Sequence, residues 1–447
     1  MKRSVCFVNR VELHFKGNVF SQALCLGDVD NDGRNECIVG NVEGSLAVFK
    51  KGDRDKPWRS CSDLGMIACV GVGDLCRIKK NILVCIASEG LCHVFYLEKE
   101  FEDHRGDMKP FYTQRVPANI RSLLLADIVG DGICRLVVGH TDRIVRVYEW
   151  DPGSVSEKEP IAGSMVMIKK WSLEAQVGSL SVSDGGANGS PLLIVSHPGG
   201  NYVHLAFESS EMKSTEEEPE SVQLKPSQPI TVKRRTRISE SDGIFTSSPH
   251  SSLLVGSSSV ASRVATEILG SIHSKKIFDE NQRLTAVCTL DGSLQLFCGR
   301  SLLWELHVNH QLFALAKVDI TNDGNEEIVA CAWDGRTYIV DTDRNAVTYQ
   351  FDENVAAFTA GQYCVDTQNV SCLVYATFSN RLYIYYDVTL PTIKATAFDI
   401  SSLLEKYPRL QDRINRGVVS KREVVECCIY GDARREETLL KKLEDSA

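Results

Sequence analysis

The sequence lacks the features that would mark a membrane protein, a zinc protein or an enzyme of a familiar class. No window approaches the roughly 18 consecutive apolar residues that a membrane helix needs, and Arg10 and Glu12 interrupt the N-terminal apolar stretch. We therefore expect neither a spanning helix nor a signal peptide. No CxxC pair occurs among the 16 cysteines, which excludes the usual spacing of a structural zinc site. No nucleophile elbow, HExxH, Walker loop or GxGxxG motif is present either, so the sequence favours a protein that is not an enzyme.

An excess of positive charge is also absent. The formal net charge is −9 and the isoelectric point lies near 5.7, whereas a nucleic-acid binder usually presents a basic face. Many cysteines lie inside apolar runs, such as Cys85 in ILVCIA and Cys331 in EIVACA. A free cysteine behaves as a small hydrophobic residue, so we expect reduced thiols in a core and a cytoplasmic location.

A short pattern recurs along the chain: an apolar strand, a tight turn and a partly alternating strand. The turns are about 46 residues apart between Gly44 and Gly90 and about 43 apart between Gly292 and Gly335. A period of about 40 to 50 residues with several short strands is typical of β-propeller blades. We predict an all-β, seven-bladed β-propeller over residues 1–393. The seven turns lie at Gly44, Gly90, Asp142, Gly200, Gly292, Gly335 and Asn380.

The N-terminal segment is left over ahead of the first repeat. Residues 5–15 contain two apolar stretches and no repeat turn. A propeller has to close its ring to remove exposed sheet edges. We predict that this segment supplies the missing strand of the last blade, beyond Tyr386.

A long insert separates the fourth and fifth repeats. Residues 208–256 are rich in serine, proline and charged residues, which predicts a disordered loop. Ser239 follows a run of arginines and Ser248 precedes a proline. Both serines are therefore candidate phosphorylation sites.

Two helical segments are predicted outside the repeats. Val260, Val264 and Ile268 have the i, i+4, i+8 spacing of an amphipathic helix, which predicts a short helix over residues 259–270. Residues 394–447 continue an apolar stripe past the last blade and predict a C-terminal helical extension. Packing on a blade and docking to another subunit both remain open for this extension.

An acidic loop precedes the first repeat turn. Asp28, Asp30 and Asp32 occupy positions one, three and five of a calcium-loop pattern, and the glycine at position six lets their carboxylates converge. Arg34 at position seven would offer its backbone carbonyl, and Glu36 at position nine would close the site. We predict a structural Ca²⁺ or Mg²⁺ here. Turn chemistry alone, with aspartates that cap backbone N–H groups, is the alternative.

Two other loops keep part of this pattern. In the loop before the sixth turn, Asp319, Thr321, Asp323 and Glu327 occupy positions one, three, five and nine, and Asn325 would offer its backbone carbonyl, which predicts a weaker site. The loop at 127–135 ends in an arginine at the ninth position, so we expect no metal there.

The acidic loops followed by blade strands resemble the FG-GAP repeats of integrin α-subunit propellers, over roughly residues 5–390. The layout of first acidic loop, mid-chain insert and helical tail resembles the integrin-α FG-GAP repeat-containing protein 2 family, whose members belong to the KICSTOR complex. This resemblance implies a noncatalytic scaffold subunit, peripheral at the lysosomal membrane, with kaptin and other KICSTOR subunits as partners. It further implies a role in helping the GATOR complex restrain TOR signalling when amino acids are scarce.

Two other functions remain open from the sequence. One is a Ca²⁺-dependent adhesion or ligand-binding propeller of the integrin α type. The other is an enzyme whose site is assembled from distant residues at the mouth of the propeller channel. Secretion would produce disulfides and glycans, so the location of the protein separates the adhesion module from the scaffold. We expect neither a nucleic-acid partner nor direct membrane insertion.

Overall fold

The computed structural model describes residues 3–4, 9–50, 56–97, 107–153, 161–184, 191–207, 246–248, 264–275, 284–299, 301–388, 390, 404, 408–416, 420–421 and 424. The chain divides into two compact units, Met1–Pro391 and Thr392–Ala447.

The first unit is a ring of seven antiparallel sheets, so the predicted seven-bladed β-propeller is confirmed. Two short strands, β1 (Arg3–Ser4) and β2 (Arg10–His14), precede the first blade. Blades 1 to 3 then consist of β3 (Leu24–Gly27), β4 (Glu36–Gly40), β5 (Leu46–Phe49) and β6 (Arg59–Cys61); β7 (Ile67–Gly73), β8 (Ile82–Ala87), β9 (Leu91–Phe95) and β10 (Tyr112–Arg115); and β11 (Ile120–Ala126), β12 (Arg135–His140), β13 (Ile144–Pro152) and β14 (Gly163–Ser172).

The remaining blades follow the same order, with the innermost strand first. Blades 4 to 7 consist of β15 (Leu180–Asp184), β16 (Pro191–His197), β17 (Asn201–Leu205) and β18 (Thr246–Ser248); β19 (Thr266–Ile272), β20 (Leu284–Thr289), β21 (Ser293–Cys298) and β22 (Ser301–His307); β23 (Leu312–Val318), β24 (Glu327–Ala332), β25 (Arg336–Val340) and β26 (Ala346–Gln350); and β27 (Val355–Val365), β28 (Gln368–Thr377), β29 (Arg381–Tyr386) and β2. Strand β1 pairs in parallel with the outer strand β26 of blade 6.

The second strand of a blade is a continuous apolar run because neighbouring blades cover both of its faces. All six residues of β8 and of β24 are buried, which is why these segments read as unbroken hydrophobic stretches. The turns that follow need glycine. At Gly90, where φ is +91°, a Cβ atom would lie 2.1 Å from the carbonyl oxygen of Val116, so any side chain would clash with the backbone entering the next blade.

The ring closes through the N-terminal segment, as the sequence predicted. Strand β2 pairs antiparallel with β29, from Arg10 opposite Tyr385 to His14 opposite Arg381. Leu13 on this strand is only 1% exposed and belongs to the core shared with blade 1. Residues 6–8, which were expected to extend this pairing, lie outside the described residues.

Two predictions for the insert region are corrected by the structure. The predicted helix over 259–270 is wrong from residue 264 onward, because residues 264–265 are not helical and Thr266–Ile272 forms the innermost strand of blade 5 with alternating burial. Residues 259–263 lie outside the described residues. Spacings of i, i+4 and i+8 also place side chains on one face of a strand, so the apolar pattern did not distinguish the two structures. The prediction of disorder over 208–256 is wrong for Thr246–Ser248, which is the outer strand of blade 4. The rest of that range falls outside the described residues.

The second unit is described in part. It contains the helix α1 (Pro408–Asn415), and Leu404, Lys421 and Val424 are also helical. Leu404 and Val424 are buried. The other predicted helical residues of 394–447 lie outside the described part. No helix among the described residues is long and apolar enough to cross a membrane.

Cysteine burial agrees with the predicted core thiols. Nine of the 13 cysteines that the structure describes are buried. Burial raises the pKa of Cys25 and of Cys69 to about 12, because the thiolate would lose its hydration. These thiols therefore stay protonated and pack as small apolar side chains.

One charged pair crosses between innermost strands. Arg121 of blade 3 lies with its Nη2 atom 3.7 Å from Oε1 of Glu267 in blade 5. The Glu267 side chain is 15% exposed. Burial raises the pKa of Glu267 to about 7, although Arg121 and a hydrogen bond from Ser179 oppose that rise.

We expect Glu267→Gln to be more stable than the wild type at pH 8. Between the unfolded pKa near 4.5 and the folded pKa near 7, the unfolded state loses its proton first, so wild-type stability falls as pH rises through this window. At pH 8 the ionised Glu267 lowers the free energy of unfolding of the wild type by roughly 3 kcal/mol. Glutamine carries no charge and avoids this loss. Urea denaturation at pH 5 and pH 8 measures this. The exposed Glu174→Gln variant is the control, and equal stability of wild type and Glu267→Gln at pH 8 would refute the prediction.

Candidate cation site in the first blade

The loop between β3 and β4 is folded by its own first aspartate. Oδ1 of Asp28 accepts a hydrogen bond from the backbone N–H of Asp32 (3.1 Å), and Oδ2 accepts one from the N–H of Gly33 (2.9 Å). Gly33 has a φ of +82°, which glycine adopts without strain. The predicted sharp return of the chain at position six is therefore present.

Three carboxylates converge inside this loop. Oxygen atoms of Asp28, Asp30 and Glu36 all lie within 4.8 Å of one another. The Asp30 side chain is fully buried, and its Oδ1 atom has no hydrogen-bond partner. Oε2 of Glu36 accepts a hydrogen bond from the N–H of Val29 (3.0 Å), and burial raises the pKa of Glu36 to about 7. Hard oxygen ligands around an unpartnered buried carboxylate oxygen fit a Ca²⁺ or Mg²⁺ ion.

The two other predicted ligands lie at the edge of this group. Asp32 is not among the three converging carboxylates, and its Oδ1 accepts a hydrogen bond from the N–H of Arg34 (3.0 Å). Arg34 itself is exposed. The structure therefore brings together three of the five predicted ligands and leaves Asp32 and the Arg34 carbonyl beside them.

A lysine that the sequence analysis missed reaches into the same loop. The Nζ atom of Lys50 forms an ion pair with Oδ2 of Asp30 and lies 3.5 Å from both Oδ2 of Asp32 and Oε1 of Glu36. The same ammonium lies 4.3 Å from the centroid of the Trp58 ring. The sequence carried a signal for this contact, since Lys50 and Glu36 lie just beyond the last paired residues of the β4–β5 hairpin.

The corresponding loop of blade 3 contains an arginine instead. The Arg135 side chain is fully buried, and its two terminal nitrogens donate hydrogen bonds to Asp131 at 2.8 and 2.7 Å. Its Nε donates to Oε2 of Glu149 (2.7 Å). Arg135 also lowers the pKa of Asp131 by stabilising its carboxylate. A guanidinium group thus lies among the carboxylates of this loop, as the arginine at position nine suggested.

The loop of blade 6 directs its oxygens to its own backbone and side chains. The Asp319 carboxylate accepts hydrogen bonds from the N–H groups of Asp323 (3.2 Å) and Gly324 (2.8 Å). The Thr321 hydroxyl donates to Oε1 of Glu327 (3.0 Å). No grouping of three acidic, cysteine or histidine ligands comparable to that of blade 1 forms here, within the part of the chain that the structure describes.

The last predicted ligand of that loop has another role. Oδ1 of Asn325 accepts a hydrogen bond from the backbone N–H of Lys275 (2.7 Å), and the Lys275 ammonium contacts the backbone carbonyl of Asp323. Across the hairpin, Asp341 stands opposite Glu327, where blade 1 has its lysine. The Asn325 side chain and the Asp323 carbonyl therefore accept hydrogen bonds that join blades 5 and 6.

The two candidate phosphorylation sites remain predictions. Ser239 lies outside the described residues. Ser248 lies in β18, where its backbone is paired opposite Tyr202. It is therefore placed on the outer edge of blade 4 rather than in a free loop.

Among the described residues, four large apolar side chains are exposed on one face of the propeller, which we call the turn face. This face carries the turn between the second and third strands of each blade. It also carries the segments that connect each blade to the next, and these segments hydrogen-bond to the turns. Phe20, Met66, Trp333 and Phe378 lie here and are between 41 and 55% exposed. We call them the apolar quartet. They fall on consecutive parts of the ring, from blade 6 through blades 7 and 1 to the start of blade 2.

Known proteins resemble the chain in sequence and in fold. The family model described as integrin-alpha FG-GAP repeat-containing protein 2 matches residues 51–390. The mouse KICSTOR complex protein ITFG2 is 41% identical over 420 residues, covering 91% of this chain and 90% of the mouse protein. The bovine KICSTOR complex protein ITFG2 is 40% identical over 421 residues, covering 91% of this chain and 75% of the bovine protein.

Solved structures support the fold alone. A crystal structure of BBS1N in complex with ARL6DN, soaked with lead, aligns with a TM-score of 0.56 and 11% sequence identity, covering 88% of this chain and all of that chain. A second crystal, soaked with mercury, aligns with a TM-score of 0.52 and 12% identity over 86% of this chain and 98% of that chain. At these identities the likeness concerns backbone architecture and carries no functional conclusion.

Proposed function

Since the chain belongs to the integrin-α FG-GAP repeat-containing protein 2 family, we propose that it is a noncatalytic scaffold subunit of a KICSTOR-type complex. The observation that carries this proposal is the identity of about 40% along most of the chain to the mouse and bovine KICSTOR complex proteins. A closed propeller supports it, because a rigid ring offers wide surfaces for several partners.

The proposed partners, place of action and role in TOR signalling follow from the same family resemblance. Kaptin and other KICSTOR subunits are the proposed direct partners, and the GATOR complex is reached through them. The proposed place of action is the lysosomal surface, where the complex restrains TOR signalling when amino acids are scarce. The chain is held there through its partners and inserts no segment into the membrane.

The proposed docking surface for a KICSTOR subunit is the apolar quartet on the turn face. Exposed aromatic and methionine side chains are enriched in the centres of protein interfaces. Asp334 and Glu89 lie in the adjoining turns and are exposed, which places charged groups beside Trp333 and near Met66, as at the rim of an interface. Trp333 and Phe378 are the side chains most suited to be anchors, since large aromatic residues contribute most to binding energy.

Affinity purification of the tagged full-length chain from cells, with crosslinking, tests this proposal. We expect kaptin-containing complexes to be recovered and crosslinks to fall near the turn face. The double variant Trp333→Ala with Phe378→Ala should reduce recovery at least about tenfold, since loss of two anchors of roughly 1–2 kcal/mol each has that effect.

A matched control keeps the number of lost apolar side chains equal. Leu302 and Leu303 are 43 and 48% exposed on the outer strand of blade 5, away from the turn face. Their replacement by alanine should leave partner recovery unchanged. If this control loses the partners and the Trp333/Phe378 variant keeps them, the docking surface is wrong. If the wild type recovers no KICSTOR subunit, the scaffold function itself is wrong.

We also propose that the first acidic loop can hold a structural Ca²⁺ or Mg²⁺ ion. Asp28, Asp30 and Glu36 would supply carboxylate oxygens, with Asp32 and the Arg34 carbonyl as the remaining ligands. Such an ion would stabilise the turn between β3 and β4. The Asp319 loop remains a weaker candidate, because its oxygens already accept hydrogen bonds within the loop.

A further inference from the structure

We propose that Lys50 is a tethered cation of the first acidic loop, so that a divalent metal ion binds there only by displacing the Lys50 ammonium. This inference rests on the proposed capacity of the loop for a metal ion and concerns what controls it. The positive charge that the loop requires then comes from the side chain that directly follows β5.

The ammonium and a metal ion would use the same oxygens. Lys50 Nζ is paired with Asp30 Oδ2 and lies 3.5 Å from Glu36 Oε1, so it contacts two of the three converging carboxylates. A Ca²⁺ ion binds carboxylate oxygens at about 2.3–2.6 Å. An ion on those carboxylates would stand close beside the ammonium, and two positive charges repel strongly where water is excluded. The two cations therefore compete for the loop.

The position of Lys50 is built into the hairpin. Cys37 pairs with Phe49, and the next residues outward on the two strands are Glu36 and Lys50. The ammonium also lies over the Trp58 ring, 4.3 Å from its centroid. A cation over an aromatic face is attracted to it, so Trp58 helps to hold the lysine against the loop.

Blade 3 contains the same pair of positions with the charges exchanged. Leu136 pairs with Tyr148, so Arg135 and Glu149 stand where Glu36 and Lys50 stand in blade 1. Their side chains are hydrogen-bonded at 2.7 Å. In both blades a side-chain cation neutralises the acidic loop. In blade 1 it is Lys50, directly after the third strand, and in blade 3 it is Arg135, at the start of the second strand. In blade 6 an aspartate occupies the Lys50 position, and the loop turns its oxygens to its own groups instead.

Lys50→Met tests the proposal in the full-length chain. Methionine keeps the apolar stem and removes the charge, which leaves Asp30 and Glu36 uncompensated. In EDTA we expect the melting temperature to fall by roughly 3–8 °C relative to the wild type. Millimolar CaCl₂ should restore it, and calorimetric titration should show Ca²⁺ binding at least tenfold tighter than to the wild type. The wild-type melting temperature should respond little to either reagent.

Two control variants make the result specific. Lys16→Met removes an exposed lysine elsewhere in the ring and should behave as the wild type. The exchange Glu36→Arg with Lys50→Glu copies the pair of blade 3. It should keep a melting temperature closer to the wild type than Lys50→Met does, and should show no Ca²⁺ binding.

The outcomes separate this inference from the metal proposal. Equal Ca²⁺ affinity of wild type and Lys50→Met, or an unchanged melting temperature of Lys50→Met in EDTA, would overturn the role of Lys50 while the loop could still bind metal. A destabilised Lys50→Met that no Ca²⁺ or Mg²⁺ restores would support the tethered cation and would refute the metal capacity of the loop.

Discussion

Replacing Leu13 with aspartate should open the propeller ring and lower the free energy of unfolding by at least roughly 4 kcal/mol. Leu13 is 1% exposed on β2, the strand that completes blade 7, and lies opposite Leu382 on β29. A buried carboxylate there loses its hydration and finds no partner, and the apolar contacts of the leucine are lost as well. Without β2, the edge of β29 would also be left unpaired.

Urea denaturation followed by circular dichroism measures this effect. His14→Asp is the matched control, because His14 is the next residue of the same strand and is exposed. It should change stability by less than about 1 kcal/mol. If the two variants are equally stable, β2 does not close the ring in solution.

Replacing Arg135 with methionine should lower the free energy of unfolding by roughly 3–5 kcal/mol. The guanidinium is fully buried and hydrogen-bonds both Asp131 and Glu149. Its removal leaves the Asp131 carboxylate without its counter-charge and leaves Glu149 paired with Arg77 alone. The resulting loss exceeds that of a surface ion pair, which contributes at most about 1 kcal/mol.

The double variant Arg135→Met with Asp131→Asn distinguishes the electrostatic cause from lost packing. Removing the second charge should recover part of the lost stability, because one unpaired carboxylate disappears. Arg143→Met, at an exposed position in the same blade, is the control and should be near neutral. Equal stability of the single and double variants in urea denaturation would contradict the electrostatic explanation.

The repeat and its closure were predictable because they depend on local chemistry. Gly90 and Gly292 mark turns where the backbone of the next blade leaves no room for a Cβ atom, so turn spacing reports blade spacing. The apolar residues of 5–15 had no other place in a ring of seven repeats. Both features can be read from short stretches of sequence.

Features that depend on register or on distant strands were missed. Lys50 reaches the acidic loop only because it stands across the hairpin from Glu36. It lies outside the nine-residue pattern that predicted the ligands. The segment 266–272 was misassigned because its apolar spacing suits both a helix and a strand. The apolar quartet joins residues from both ends of the chain, so no single window of sequence contains it.

We propose that this propeller is a protein scaffold whose acidic loops in blades 1 and 3 carry their own cations, rather than an adhesion module that depends on Ca²⁺. The most direct measurement is affinity purification of the tagged chain from cells, with parallel washes in EDTA and in millimolar CaCl₂ and quantification of bound KICSTOR subunits. We predict equal recovery in both washes. Loss of the partners in EDTA, with recovery in CaCl₂, would contradict this account and favour the Ca²⁺-dependent module.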